Sequence, residues 1–234
     1  MALKHKALMV LFPGFNTLDM NGPFEVLTRG DLFEVVTAAE SDITRSSEGV
    51  QVKRDVPLDD ALIDKLHEFD VLVVPGGPGS QVMAQADADK SSFLPLIDKF
   101  AGIGPRPSAS HPRLLLSVCT GALFLGKLGA FNGMHCTTHW AYYKELARLN
   151  EESAAAAAAA GGSPSEAAGK VLPARFVDAG VNGRGVRVVS SGGVSCGIDA
   201  ALHVVRVFAG EAAAREAAEG LDYAWRKTDG VVLG

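Results

Sequence analysis

Residues 114–126 read LLLSVCTGALFLG, and this segment predicts a buried strand that turns sharply into a helix. The apolar run 114–118 is typical of a strand covered on both faces, and the small residues after Thr120 favour a closely packed helix. Cys119 lies at the turn. A strand-to-helix turn of this kind is a nucleophile elbow, which holds the side chain out of the sheet and faces it toward the amides of the next helix. We therefore expect Cys119 to be a reactive thiolate.

Strand-like and helix-like runs alternate along the rest of the chain. Strands are predicted at residues 7–12, 33–38, 71–74, 114–118 and 134–138, with a short edge strand at 49–52 and a hairpin at 176–178 and 186–189. Helices are predicted at residues 18–27, 80–100, 140–149 and 198–209, with another from Glu211, and a loop at 102–113. Apolar strands alternating with helices indicate an α/β fold, with a mostly parallel central sheet and helices on both of its faces.

The composition narrows the class of protein. A chain of 234 residues that is 47% hydrophobic can bury a full core, so we expect residues 1–234 to form a single domain. The net charge of −5 argues against a nucleic-acid partner. No apolar run is long enough to cross a membrane, and we identify no secretory leader. Because three cysteines without close spacing are typical of a reducing compartment, we expect a cytoplasmic protein.

An Ala-rich insertion spans about residues 151–169 and includes seven consecutive alanines. Alanine favours helix, so this segment predicts an extension of the preceding helix that frays into a loop. A disordered surface insertion is the alternative, because the segment has almost nothing large to bury. We assign it no chemistry.

Four features follow predicted strands directly, at the edge where ligands bind in parallel sheets. They are Asp19, the pair Gly76–Gly77, the pair Cys119–Thr120, and His139. If their strands are parallel and central, these features converge at one edge of the sheet. The sequence therefore predicts a site there.

Cys119 is the candidate nucleophile of this site, and the alternative is a buried, inert thiol. Asp19 is a candidate acid or base, because a partly buried carboxyl beside a thiolate has a raised pKa. It could equally be an N-terminal helix cap, a role that aspartate often fills. Of the other cysteines, Cys136 is expected in the core, whereas Cys196 lies near the N-terminus of a predicted helix, which could lower its pKa.

The backbone around the turn offers an anion site. The glycines Gly76 and Gly77 allow close backbone approach, and their N–H groups together with that of Thr120 could stabilise a negative charge. A plain tight turn is the alternative. His139 could pair with the thiol as a base, but a lone histidine before a helix is more often a structural hydrogen-bond partner.

Taken together, these motifs resemble the ThiJ/PfpI family of the class I glutamine amidotransferase-like superfamily, over nearly the whole chain. The matching segments are residues 11–13 (LFP), 18–23 (LDMNGP), 75–77 (PGG), 117–121 (SVCTG), 137–142 (TTHWAY) and 192–199 (GGVSCGID). The resemblance implies a flavodoxin-like sandwich. It also implies a homodimer that acts on a small molecule without a metal or an organic cofactor.

Two positions make the chain most similar to the isocyanide (isonitrile) hydratase branch of the superfamily. Thr120 stands where protease-like and glyoxalase-like members place histidine, and the acid after the first strand is Asp19. By similarity, Cys119 is the nucleophile and Asp19 its hydrogen-bonded acid. The amides of Gly77 and Thr120 form the anion site, and Gly192 packs near the nucleophile.

The implied reaction is the addition of water to an isocyanide through a thioimidate on the cysteine, which gives an N-substituted formamide. Three alternatives use the same fold. The first is a glutathione-independent glyoxalase or deglycase, and the second is a redox-sensing stress protein in which Cys119 is oxidised. The third is a ligand-sensing domain of a transcription regulator, which the absence of a basic C-terminal segment disfavours.

Overall fold

The structure is a computed structural model that describes residues 4–88, 91–105, 111–160 and 167–234. Its strands are β1 (His5–Leu11), β2 (Phe33–Ala39), β3 (Ile43–Arg45), β4 (Gln51–Lys53), β5 (Val56–Pro57), β6 (Val71–Val74), β7 (Arg113–Ser117), β8 (His135–Cys136), β9 (Lys170–Val171), β10 (Phe176–Val181), β11 (Val186–Ser191) and β12 (Val231–Val232). Its α-helices are α1 (Thr17–Thr28), α2 (Asp60–Asp64), α3 (Gly79–Ala86), α4 (Phe93–Ala101), α5 (Ala122–Lys127), α6 (Tyr143–Ala159) and α7 (Cys196–Gly220). Short 3-10 turns lie at Arg29–Asp31, Leu66–Glu68, Cys119–Gly121, Trp140–Tyr142 and Lys227–Asp229.

Eight strands form the central sheet, in the order β12-β10-β11-β7-β6-β1-β2-β5. The strands from β11 to β5 in this order are parallel, whereas β10 runs antiparallel to β11. The predicted mostly parallel sheet with helices on both faces is confirmed, as is the hairpin. Strands β6 and β7 are neighbours and end level, with Val74 opposite Ser117. The segments that follow them therefore leave the sheet side by side.

The centre of the sheet is fully apolar, as the sequence indicates. All four residues of β6 and residues 114–116 of β7 have no exposed surface. Strands covered on both faces read as continuous apolar runs because neither face meets water. The burial of β6 and β7 fixes the position of the turns at their carboxyl ends.

The predicted long helix at residues 80–100 is wrong, because the structure has two helices, α3 and α4, in its place. The second helix begins where Glu40 accepts hydrogen bonds from the Ser91 hydroxyl (2.7 Å) and the Ser92 amide (2.9 Å). Serine side chains compete with the helical backbone for hydrogen bonds, so this segment favours a break. Residues 89 and 90, within the predicted helix, lie outside the described residues.

Two predicted strands lie outside the central sheet. The strand predicted at residues 134–138 is reduced to β8, which pairs with β9 in a separate two-stranded sheet. The reason is that Thr137 donates its amide to the Ser190 hydroxyl (2.9 Å) instead of continuing the ladder. The edge strand predicted at 49–52 is β4, which forms a hairpin with β3.

The Ala-rich segment extends the preceding helix, as predicted, because α6 continues to Ala159. Residues 161–166 of this segment and residues 106–110 of the predicted loop lie outside the described residues. Gly210 interrupts α7 at φ 85°, so the two helices predicted there are also present. Within the described ranges, no helix is both long and apolar enough to cross a bilayer.

Gly121 allows the turn after β7 to lie against the end of β6. A Cβ at this position would collide with the Val74 carbonyl oxygen and lie 2.9 Å from that of Pro75. Both obstacles are backbone, so they cannot rotate away. We predict that Gly121→Ala lowers the free energy of unfolding by roughly 1–3 kcal/mol, as overpacking does. Urea denaturation measures this loss.

The control is Gly183→Ala, because a Cβ at Gly183 meets nothing within 4 Å. Its free energy of unfolding should stay within about 0.5 kcal/mol of the parent protein, as at ordinary surface sites. Equal stability of the two variants would show that the close approach at Gly121 is relaxed in solution.

Candidate active site

Cys119 lies at a strained turn directly after β7. Its φ of 57° falls in the left-handed region, which costs a non-glycine residue energy. Hydrogen bonds hold this conformation from both sides. The Cys119 amide donates to the Gly192 carbonyl (3.1 Å), and the Cys119 carbonyl accepts from the Thr138 hydroxyl (2.8 Å). The orientation of the Cys119 side chain therefore costs the folded protein some conformational energy.

Asp19 lies in the first turn of α1 and is fully buried. The alternative that Asp19 caps its helix is wrong, because Asn16 is the N-cap and accepts from the amides of Leu18 (3.0 Å) and Asp19 (3.1 Å). One carboxyl oxygen of Asp19, Oδ2, accepts from the Gly76 amide at 3.1 Å. The Cys119 thiol lies near enough to lower the pKa of this carboxyl. The other carboxyl oxygen, Oδ1, is buried and has no hydrogen-bond partner among the described residues. The predicted pair of acid and thiol is therefore brought together.

Burial raises the pKa of Asp19 from 3.8 to about 7. The hydrogen bond from the Gly76 amide and the neighbouring Cys119 thiol lower this pKa, but by less than desolvation raises it. The negative charge of Glu48 adds to the increase. A carboxyl with a pKa near 7 can both accept and donate a proton at neutral pH.

The expected thiolate at Cys119 is wrong for the resting protein. Burial raises the pKa of this thiol to about 12, and the negative charge of Asp19 acts in the same direction. Hydrogen bonds from the amides of Val194 and Thr120 lower the pKa but do not reverse the shift. The thiol therefore keeps its proton at neutral pH, because desolvation outweighs the partial charges of two amides.

The amides expected to form the anion site are only partly available. Gly76 donates to Asp19, and Gly77 donates to the Thr120 hydroxyl at 2.9 Å. The same hydroxyl donates back to the Gly77 carbonyl at 2.7 Å. The Thr120 side chain thus ties the loop after β6 to the cysteine turn, and the Gly77 amide is engaged there instead of facing the sulfur. Of the predicted amides, that of Thr120 reaches the sulfur.

Val194 is a site residue that the sequence did not reveal. Its amide acts on the Cys119 sulfur and lowers the pKa of the thiol. Its φ of 39° is strained like that of Cys119. Gly192, two residues before Val194, accepts a hydrogen bond from the Cys119 amide through its carbonyl. It thus lies near the nucleophile, as expected from the resemblance. The Gly192–Gly193 pair indicates in the sequence that the backbone can approach closely. Only the fold shows that the next amide, that of Val194, is the one near the sulfur.

His139 caps a helix turn. Its Nδ1 accepts from the Ala141 amide at 3.2 Å, and its ring lies where a Cβ on Gly193 would be. His139 is therefore a structural hydrogen-bond partner, the alternative that the sequence analysis gave for it. Because β8 lies outside the central sheet, packing and not strand order brings His139 to this region.

The other two cysteines occupy different surroundings. Cys136 is fully buried, as expected. Cys196 is half-buried at the start of α7 and lines a cavity of about 370 Å³ together with Trp140 and Gly192. Burial raises the pKa of Cys196, although the positive charge of Arg175 opposes the increase. The lowered pKa considered for Cys196 is therefore wrong.

No three His, Cys, Asp or Glu side chains in the described parts of the chain come together in a way that could hold a metal ion. The groups that the site presents are those already described. These are a protonated thiol, a carboxyl with a pKa near 7, and two amides at the sulfur.

Comparison with known proteins identifies relatives along most of the chain. The model of the DJ-1/PfpI family matches residues 5–206. An isonitrile hydratase from Pseudomonas putida is 33% identical over 141 residues, which are 60% of this chain and 54% of that protein. This match spans about half the length of the hydratase. An uncharacterized protein from Streptomyces lividans is 33% identical over 152 residues, which are 62% of this chain and 94% of that protein.

Solved structures share the architecture. The crystal structure of Drosophila melanogaster DJ-1beta matches with a TM-score of 0.70 at 22% identity, covering 95% of this chain and all of that one. At this identity the likeness describes the fold alone. It agrees with a flavodoxin-like sandwich built on a mostly parallel sheet.

The buried carboxyl of Asp19 makes a prediction about stability. Its pKa is raised in the folded state, so ionisation between about pH 5 and pH 8 costs the folded protein more than the unfolded chain. Asp19→Asn removes this cost. We predict that the variant gains roughly 2–3 kcal/mol of unfolding free energy relative to the parent protein between pH 5 and pH 8. Urea denaturation at both pH values gives the difference.

Asp98→Asn serves as the control, because Asp98 is an exposed carboxyl away from the cysteine turn. Its stability relative to the parent protein should be the same at both pH values. A flat difference for Asp19→Asn as well would mean that water reaches the Asp19 carboxyl in solution.

Proposed function

The chain belongs to the DJ-1/PfpI family, and from this premise we propose that it is a cysteine-dependent enzyme that hydrates an isonitrile to an N-substituted formamide. The observation that carries the proposal is the fully buried Asp19 carboxyl beside the Cys119 thiol. The similarity to an isonitrile hydratase supports the choice of substrate. Thr120, directly after the cysteine, adds no second base at that position.

The reaction starts from a pair that shares a single proton. At neutral pH the Cys119 thiol is protonated. The Asp19 carboxyl, with a pKa of about 7, is ionised in a large fraction of the molecules. Ionised Asp19 accepts the thiol proton while the sulfur forms a bond to the terminal carbon of the isonitrile. Asp19 then gives this proton to the same carbon, and the product is a thioimidate, R–N=CH–S, on the cysteine.

Hydrolysis of the thioimidate regenerates the same pair. Asp19 is ionised again and accepts a proton from water as the water oxygen attacks the thioimidate carbon. The nitrogen takes up this proton, and the carbon–sulfur bond breaks to release R–NH–CHO. The hydroxyl proton of the tetrahedral intermediate returns to the sulfur through Asp19. The sum is one isonitrile and one water converted into one formamide.

The two amides at the sulfur stabilise the departing thiolate. Those of Val194 and Thr120 lower the pKa of Cys119, which means that they favour its charged form. They cannot ionise the resting thiol against its burial. When the carbon–sulfur bond breaks, however, they hold the negative charge that develops on the sulfur.

The first test is removal of the nucleophile. We predict that Cys119→Ala lowers the hydration rate of an aryl isonitrile at least about 1000-fold, because no other thiol can form the thioimidate. Cys196→Ala is the matched control and should keep most of the activity. Formamide production, followed by liquid chromatography, is the measurement.

Methylglyoxal is assayed in parallel with the isonitrile. Lactate formation without formamide formation would replace the proposed reaction by that of a glyoxalase. Full activity of the Cys119→Ala variant would remove the cysteine from the mechanism.

The second test is the dependence of the rate on pH. Because ionised Asp19 starts the reaction, kcat/KM should fall about tenfold per pH unit below about pH 7 and level off above it. Asp19→Asn should lose this limb and most of the rate. Asp98→Asn should retain the parent profile. A rate that is flat from pH 5 to pH 8 in the parent protein would contradict the role of Asp19.

A further inference from the structure

Glu48 lies in the turn between β3 and β4, at the start of the helix that carries Asp19. The turn is fastened to the body of the protein, since the Gly14 amide donates to the Arg45 carbonyl (2.8 Å) and the Ser47 amide to that of Phe15 (2.9 Å). These two hydrogen bonds therefore fix the β3–β4 hairpin to the rest of the protein. Its position relative to α1 is set by backbone hydrogen bonds.

The carboxylate of Glu48 accepts four hydrogen bonds. Its Oε1 accepts from the Asn16 side-chain amide (2.9 Å) and the Ser47 hydroxyl (2.6 Å). Its Oε2 accepts from the Thr17 amide (2.9 Å) and the Thr17 hydroxyl (2.6 Å). Although burial works in the opposite direction, hydrogen bonds from Ser47 and Thr17 lower the pKa of Glu48 to about 2. Glu48 is thus ionised throughout the neutral range.

These hydrogen bonds control the first turn of α1. The first amides of a helix have no partner within the helix, and a side-chain acceptor has to satisfy them. Glu48 satisfies that of Thr17, and Asn16 satisfies those of Leu18 and Asp19. Since Glu48 also holds the Asn16 side chain, it positions the cap that orients the Asp19 backbone.

Charge provides a second connection between Glu48 and Asp19. The titratable groups that act on Asp19 come from two elements: Glu48 from the hairpin and Cys119 from the turn after β7. Asp19 in turn raises the pKa of Cys196, at the start of α7. Burial is the largest cause of the raised pKa of Asp19, and Glu48 is the negative charge that adds to it. The guanidinium of Arg45, on the same hairpin, lies near Gly49, the residue that follows Glu48.

We propose that Glu48 is a positioning residue for Asp19: its carboxylate holds the first turn of α1 in place and so keeps the Asp19 carboxyl against the Cys119 thiol. This inference rests on the proposed function for its catalytic meaning. The effect of Glu48 on Asp19 does not depend on the proposed function, because the Asp19 carboxyl can be observed without any substrate.

The experiment is a carbon-13 NMR titration of protein labelled at the aspartate carboxyls. The Asp19 resonance is the one that is missing from Asp19→Asn. In Glu48→Gln, the negative charge is lost and an amide NH₂ faces the donors of Thr17. We expect the midpoint of the Asp19 titration to fall by about half a pH unit, because both a lost like charge and better hydration favour the carboxylate.

Two further variants separate positioning from general effects. Glu48→Asp keeps the charge but is one methylene too short to reach all four donors, so the Asp19 midpoint should stay below that of the parent protein. A midpoint restored to the parent value would assign the effect to charge alone and overturn the positioning role. Glu25→Gln removes a carboxylate further along the same helix, where Glu25 pairs with Arg29 at 2.6 Å, and should leave the midpoint unchanged. An Asp19 midpoint that is the same in Glu48→Gln and the parent protein would overturn the inference, whatever the change in melting temperature.

The kinetic readout keeps the two proposals apart. If both hold, the lower limb of kcat/KM in Glu48→Gln moves to lower pH by the same amount as the Asp19 resonance. A shifted resonance in a protein that hydrates no isonitrile would support the role of Glu48 and refute the proposed function alone. An isonitrile hydratase whose Asp19 resonance does not move would do the reverse.

Discussion

The contact between the Asp19 carboxyl and the Cys119 thiol is the constraint on which the site depends. Both groups are buried, and burial raises both pKa values, so the pair does not lose its last proton near neutral pH. A charged carboxylate in this position is costly for the folded protein. In the proposed reaction this cost lets Asp19 carry a proton, because neither of its protonation states is strongly favoured at pH 7.

Several elements meet to maintain this contact. The cysteine turn is held by the carbonyl of Gly192, and the loop after β6 is tied to the turn by the Thr120 hydroxyl. Helix α1 packs on α7. Helix α7 in turn lies close to the segment that leads into the cysteine turn, where a Cβ on Gly197 would clash with Val118. Each of these contacts joins parts of the chain that are distant in sequence. The geometry at the sulfur therefore depends on the packing of the whole sheet and its helices.

Two of the four non-glycine residues with positive φ in the described parts of the chain lie at the same place. Cys119 and Val194 both have positive φ values. The Val194 amide lies near the Cys119 sulfur and lowers the pKa of the thiol. Backbone strain of this kind persists only where the surrounding structure over-determines it. Here the buried strand β7 on one side and helix α7 on the other supply that support. The hydrogen bonds of Glu48 give the helix of Asp19 a comparable anchor.

The sequence by itself determined the α/β order, the parallel sheet, the cysteine turn and the candidacy of Asp19, because these depend on local apolar runs and on short motifs. It could not separate a capping from a site role for Asp19, since Asn16 is an equally good cap. Only the tertiary structure decided that the Gly77 amide is engaged by a hydroxyl, that Val194 reaches the sulfur, and that Cys119 is a thiol. Hydrogen-bond partners and desolvation depend on segments that folding brings together, and no local pattern records them.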